Sequence, residues 1–324
     1  MGPQTIKKIT SSFPFILIFW IIPMSNSYYL PQPHTRISST MALKIKSSCA
    51  VSQDAIWEVK PEDDVPIGNM PIYTASKSEI QLKNNTPGVM RQDITGLSDV
   101  FMIHNVLSRE ECEHIISISE AMGYNEFDAG KNTHGALTWV GNEEALMTPL
   151  YERCEPFFPK KLDKQGVPQV VAGLNARLRF YRYQPNGKDE FRPHVDDSFP
   201  GTGLSEDGKQ MIWDKFGDRY SMLSFLLYLN DDFYGGHTTF YPEGLDGQRI
   251  KVKPQQGSAL CFFQSFHLGN EEEENQMAPL HEGSSVVSDS SVSGNNGQET
   301  SNVMLSKIRP KYIIRSDVLY KRIM

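Results

Sequence analysis

Apart from one apolar run at Phe13–Met24, hydrophobic residues are scattered without a period up to about Gly96, and beyond it they organise into runs separated by turn signals. Val100–Leu107 reads as a strand. Ser108 and Glu111 then form a capping box that opens a helix to about Met122, with Cys112, Ile115, Ile116 and Ile118 or Ala121 largely on one side. A second helix is expected from about Glu143 to Phe157, carrying Leu146, Leu150 and Cys154 at helical spacing, with Pro149 kinking or restarting it. From there the pattern turns to strands. Leu178–Tyr183 is β-prone and is followed by a Gln-Pro-Asn-Gly turn; Tyr220–Asn230 reads as a buried strand; His237–Tyr241, Lys253–Phe263 and Lys311–Tyr320 follow. Between them, Phe199–Gly217 is polar and rich in Gly and Asp, a candidate substrate lid in which Trp213 is better read as a plug than as a substrate platform.

Composition adds bounds. A chain of 324 residues, 39% hydrophobic and 22% charged, can bury one sizeable core, and a net charge of -7 offers no electrostatic grip on a nucleic acid. The four cysteines, Cys49, Cys112, Cys154 and Cys261, have no CxxC spacing; Cys261 reads as a core thiol, while Cys112 and Cys154 could pair in an oxidising compartment. Residues 1–27 read as a signal peptide, or as a signal anchor that would tie the chain to a membrane, because Lys7 and Lys8 precede a short apolar run and Ser25 and Ser27 follow it. Residues 28–96 read as a transit-like segment and linker with one short strand, since the first acidic residue after the apolar run is Asp54. The expected destination is the secretory pathway, most simply the endoplasmic reticulum lumen; a plastid reached through a bipartite signal is the alternative.

Candidate chemistry starts at Phe191-Arg192-Pro193-His194-Val195-Asp196-Asp197. Pro193 disfavours a helix, and on an extended backbone His194 and Asp196 project from the same face, so they can converge on one ion. A third ligand is required, and His281 in Leu280-His281-Glu282-Gly283 and His267 after the Phe262-Phe263 strand are both available. Two histidines and one carboxylate are the ligand set of non-haem Fe(II) oxygenases, which leaves coordination positions open. Arg192 and Asp197 flank the ligands as solvated, ligand-orienting or substrate-touching residues.

Taken together, RPHVDD, LLYLNDDFYGGHTTFY, GSALCFF, LHEG and KYIIRSDVLY resemble the 2-oxoglutarate and Fe(II)-dependent dioxygenases of the prolyl 4-hydroxylase type, over roughly Leu97 to Tyr320. The resemblance implies a mainly β fold with supporting α-helices, a double-stranded β-helix or jelly roll, in a domain at 97–322. It implies iron ligands at His194, Asp196 and His281, a basic residue for the distal carboxylate of 2-oxoglutarate at Lys311, and further cosubstrate contacts from Tyr183 and Thr238. It favours His281 over His267 because the family pattern runs His-Glu-Gly, a short apolar stretch such as Val286-Val287, then the basic residue. The reaction implied converts 2-oxoglutarate and O₂ to succinate and CO₂ while hydroxylating an unactivated C–H bond, with ascorbate rescuing oxidised iron. A prolyl residue in a peptide or protein is the expected substrate. A small-molecule oxygenase and a non-catalytic jelly-roll binding protein are the alternatives. A Ser-, Gly- and Asn-rich insertion at about 284–309 separates His281 from Lys311 and makes Lys307 a rival to Lys311; the acidic run Glu271–Glu274 reads as a solvated loop.

Overall fold

The computed structural model describes residues 55–323 except 64, 66–69, 83–87, 129–131, 165, 266–277 and 288–308. The amino-terminal targeting readings, Cys49, His267, the acidic run, Lys307 and most of the low-complexity insertion therefore lie outside the described residues.

Eight strands make the frame: β1 (Arg177–Tyr183), β2 (Glu190–His194), β3 (Arg219–Tyr228), β4 (Thr238–Phe240), β5 (Ile250–Val252), β6 (Ala259–Phe263), β7 (His281–Gly283) and β8 (Lys311–Arg322). Hydrogen bonding orders them β1-β8-β3-β6 on one side and β2-β7-β4-β5 on the other, with the strand Asn132–Val140 stitching β1 to β2. Successive strands thus alternate between two antiparallel four-stranded layers except at β4 and β5, which pair as neighbours in one layer, and this is the jelly-roll arrangement.

The apolar run of β3 is explained by burial on both faces. Leu223, Phe225 and Leu227 join a core shared with Phe101, Ile103, Trp139, Phe180 and Ile314 and with Cys112, Ile115 and Ile118 of the helix α1 (Arg109–Met122). Leu226 and Tyr228 point the other way, packing with Tyr183, Phe240, Leu260, Phe262 and Ile313. The start of α1 has the expected reciprocal cap, Ser108 Oγ accepting from the Glu111 amide and Glu111 accepting from the Ser108 amide. The second expected helix is broken into a π-helical turn at Glu143–Met147, α2 at Thr148–Cys154 and a 3₁₀ turn at Glu155–Phe157. Pro149 stands in the first turn of α2, where its missing N–H costs no helical hydrogen bond. Cys112, Cys154 and Cys261 are buried free thiols, so the described fold holds no Cys112–Cys154 pair.

Two expectations need correction. The stretch 55–96, read as a linker with one short strand, contributes three strands, Ile56–Glu58, Ile72–Ala75 and Met90–Asp93, to the main sheet and buries Val59, Ile72, Ala75, Ile80 and Leu82. Strands of three or four residues leave too little alternation to be seen in a pattern. The stretch 199–217 is pinned: Gly203–Leu204 and Gln210–Ile212 pair, and the latter runs parallel to Lys60–Pro61. Trp213 lies over the Arg177 guanidinium at 4.9 Å and edge-on to Phe199, and its backbone amide donates to Glu62. It is a plug.

Candidate metal centre and cosubstrate cleft

Register brings the two histidines together. His194 ends β2 and His281 opens β7, and the antiparallel pairing sets them directly opposite each other, with ring centroids 4.4 Å apart. Asp196 follows two residues after His194, its backbone carbonyl held by the Ser265 amide at 2.7 Å. The ligand atoms of His194, Asp196 and His281 all lie within 4.8 Å of one another.

Each imidazole is oriented by its second nitrogen. His194 Nδ1 donates to the Arg192 carbonyl at 2.7 Å and His281 Nδ1 to the Pro279 carbonyl at 3.1 Å, so both Nε2 atoms are turned toward Asp196, at 3.3 and 3.8 Å. Burial pushes the His281 pKa down to about 4, which keeps the ring neutral and able to donate its lone pair. For Asp196, burial alone would raise the pKa, but Arg315 beside it, together with His281 and His194, holds the carboxyl well below the usual range. Its Oδ2 accepts from the Ser224 hydroxyl, whereas its buried Oδ1 has no hydrogen-bond donor aligned on it and lies 2.9 Å from Arg315 Nη2 as an ion pair. Two imidazole nitrogens and one ionised, under-bonded carboxylate oxygen fit a divalent first-row metal.

The same cleft holds a second kind of site. Tyr181, Tyr183, Phe191, Leu226, Thr238, Ile313, Lys311 and Arg315 line it with the three ligands. Lys311 opens β8 opposite Tyr183, 1% exposed, and donates from Nζ to the Gly236 carbonyl at 2.8 Å. It has no acidic partner among the described residues, and burial pushes its pKa down to about 7. A buried lysine without an anion is a cation waiting for one. Tyr183 presents its ring 5.0 Å from Lys311 Nζ, and Thr238 shares a 2.7 Å hydrogen bond with the Tyr228 hydroxyl. Gly236 has φ 62°, and a Cβ there would stand 2.7 Å from the Phe233 ring and 3.2 Å from Lys311 Cδ. Gly283 plays a different part from the tight turn its place after His281 suggests. Its φ is not positive, and its bare Cα leaves room for the Tyr183 hydroxyl and Phe191, which a Cβ would meet at 3.2 and 3.3 Å. Arg192 and Asp197, which flank the ligands in the sequence, are both exposed.

Arg315, Ser224, Gln264 and Asp317 were not singled out by sequence reasoning. A signal existed for two of them, since Arg315 and Asp317 stand four and six residues after Lys311 on one strand and so share its face. The two ends bordering the undescribed 288–308 are also fixed. Val286–Val287 pairs with Tyr234–Gly235, and Arg309 forms ion pairs with Glu113 and Asp232 at 2.9 and 3.5 Å.

Residues 178–293 match the 2OG-Fe(II) oxygenase superfamily, a span that includes all three candidate ligands and ends before Lys311. Over 175 residues the chain is 25% identical to prolyl 4-hydroxylase 1 of Arabidopsis thaliana, covering 51% of this chain and 57% of that protein. It is 25% identical over 192 residues to a putative prolyl 4-hydroxylase of Acanthamoeba polyphaga mimivirus, covering 58% of this chain and 69% of that one. Among solved structures, the viral collagen prolyl hydroxylase of Paramecium Bursaria Chlorella virus-1 superposes with a TM-score of 0.40 at 17% identity, covering 69% of this chain and 96% of that chain.

Proposed function

We propose that this chain, a 2OG-Fe(II) oxygenase of the prolyl hydroxylase type, hydroxylates an unactivated C–H bond of a prolyl residue in a peptide or protein, consuming 2-oxoglutarate and O₂. The observation that carries this reading is the pairing, in one cleft, of two inward-facing Nε2 atoms and an under-bonded carboxylate with a buried lysine that has no acidic partner among the described residues.

His194, Asp196 and His281 would hold Fe(II), and bound there the metal supplies the O₂ activation that couples decarboxylation of 2-oxoglutarate to hydroxylation. The residues of the chain do the rest. Lys311 is a point charge for the distal carboxylate, and the anion in turn restores the protonated state that burial opposes. Thr238 and Tyr183, on opposite layers of the barrel, offer hydroxyls to the same ligand. Leu226, Ile313 and Phe191 line the space between the metal ligands and Lys311 with apolar surface, keeping water from the reacting atoms. Ascorbate belongs to this proposal as the reductant that returns oxidised iron to Fe(II). So does a secretory setting for the amino-terminal segment; among the described residues no helix is long and apolar enough to cross a membrane.

The test is a mass-shift screen of proline-containing peptides incubated with purified protein, Fe(II), 2-oxoglutarate and ascorbate. Gain of one oxygen on proline, matched by succinate release, is the expected result. Oxygen gain confined to a small metabolite of a cell extract would replace the substrate class while keeping the chemistry.

A further inference from the structure

Asp196 is held by more than its immediate neighbours. Its Oδ2 accepts the Ser224 hydroxyl, and Ser224 Oγ itself accepts from Gln264 Nε2 at 3.1 Å. The same Gln264 nitrogen donates to Asp317 Oδ1 at 2.7 Å. The Gln264 oxygen accepts from Ser221 Oγ at 2.6 Å, and Arg179 Nη2 grips both oxygens of Asp317 at 2.8 and 2.9 Å. Ser224, Gln264, Asp317 and Arg179 are all buried, with 0%, 0%, 0% and 5% exposure.

The polarity of this row runs one way. Asp317, gripped through both oxygens by Arg179, presents Oδ1 as an acceptor, so it demands an N–H from Gln264 and fixes which end of that amide faces Ser224. With an N–H of Gln264 pointing at its lone pair, Ser224 has its own proton free for Asp196. Removing the demand at Asp317 lets the amide turn over. Its oxygen would then take the Ser224 proton and leave Asp196 Oδ2 without a donor.

Resting on the metal-site reading above, we infer that Asp317 is a positioning residue for the metal: through Gln264 and Ser224 it locks one oxygen of Asp196 and leaves the other, Oδ1, to bind the ion. Side chains that orient a ligating carboxylate in this way are worth about 10–100-fold in metal affinity. Strand register accounts for the contact, because Ser224 pairs with both Asp317 and Phe262, so β3, β6 and β8 deliver the row from three strands.

The probe is Co(II), titrated into the full-length metal-free protein while its ligand-field absorption is recorded, with His281→Ala as the control that lacks a ligand. Asp317→Asn, Gln264→Met and Ser224→Ala are each expected to weaken Co(II) binding about 10–100-fold and to shift the absorption. The double variant Ser224→Ala/Asp317→Asn should bind no more weakly than Ser224→Ala alone, because Asp317 acts through that hydroxyl. Gln264→Met leaves the Arg179–Asp317 pair intact, so it carries the test even where Asp317→Asn fails to fold. Wild-type affinity and an unchanged spectrum in Gln264→Met would overturn the relay alone. Failure of the wild-type protein to bind Co(II) better than His281→Ala would overturn the metal-site reading and the relay with it.

Discussion

Replacing Lys311 with Met should make the ligand-free protein more stable at neutral pH while abolishing its response to 2-oxoglutarate. Burial lowers the lysine from 10.5 to about 7. Three and a half pH units at about 1.36 kcal/mol each place roughly 5 kcal/mol against folding with this side chain charged. Methionine removes that term but leaves the Gly236 carbonyl without the 2.8 Å hydrogen bond from Nζ, a loss of about 1–3 kcal/mol. The net gain below pH 7 is then about 2–4 kcal/mol. The sign follows from proton counting. Between pH 7 and 10.5 the unfolded chain binds a proton at this position that the native protein does not, so wild-type stability climbs with pH across that window. The variant's advantage therefore shrinks and reverses to a deficit of about 1–3 kcal/mol above the upper limit. Urea unfolding of the two proteins without ligand, repeated from pH 6 to 11, reads this directly. Adding 2-oxoglutarate at a hundred times its Kd should stabilise the wild type by about 2.7 kcal/mol and the variant not at all, with Co(II) affinity in both within two-fold. A variant that is less stable than wild type at pH 6 would show that Lys311 already has an anionic partner in the folded chain, and its role as the cosubstrate's counter-charge would fall.

Other changes probe the remaining parts of the site. His281→Ala should abolish turnover and metal binding while His267→Ala keeps both; metal stoichiometry measured on the pair decides between the two histidines, and the reverse result places the third ligand elsewhere. Gly236→Ala forces a side chain into a left-handed backbone and against Phe233 and Lys311, so the apparent affinity for 2-oxoglutarate should fall at least ten-fold with Co(II) affinity unchanged, as binding titrations of both would read. Excising 288–306 and closing with a short Gly-Ser turn should leave uncoupled turnover within a few-fold, because the flanking Val286–Val287 pair and the Arg309 ion pairs remain; collapse of expression or activity would assign the segment a structural role. Arg153→Met should cost about 3–5 kcal/mol in urea unfolding, since it removes the guanidinium that holds the Glu111 carboxylate at 2.8 Å between α2 and α1 while the Ser108 amide of the cap remains; a loss under 1 kcal/mol would mean that the remaining contacts of Glu111 suffice to hold it.

Much of this site was legible in the sequence because short spacings carry it. His194 and Asp196 are two residues apart on extended backbone, Lys311 opens a β-prone run, and β1, β3, β4, β6 and β8 show in the sequence as β-prone stretches, whereas the three-residue β5 and β7 do not. What was not legible depends on register. Ser224 reads as a polar interruption in β3, Gln264 as the residue after β6 and Asp317 as one charge among others on β8, and only the pairing of three strands joins them behind Asp196. Arg315 shares the face of Lys311, yet nothing in the spacing says that its guanidinium meets a carboxylate from the end of β2. Between 55 and 96 the sequence leads to the expectation of one short strand where the fold has four, because these are two to four residues long and stabilised by pairing instead of pattern.

The central claim is that this chain binds iron and 2-oxoglutarate side by side and couples them. Purified protein incubated with Fe(II), ascorbate, O₂ and isotopically labelled 2-oxoglutarate, without any substrate, should release labelled succinate and CO₂ slowly and in equal amounts. His194→Ala, Asp196→Ala and Lys311→Met should each remove that signal. A folded wild-type protein that binds Fe(II) but yields no succinate above its Asp196→Ala variant would contradict the account.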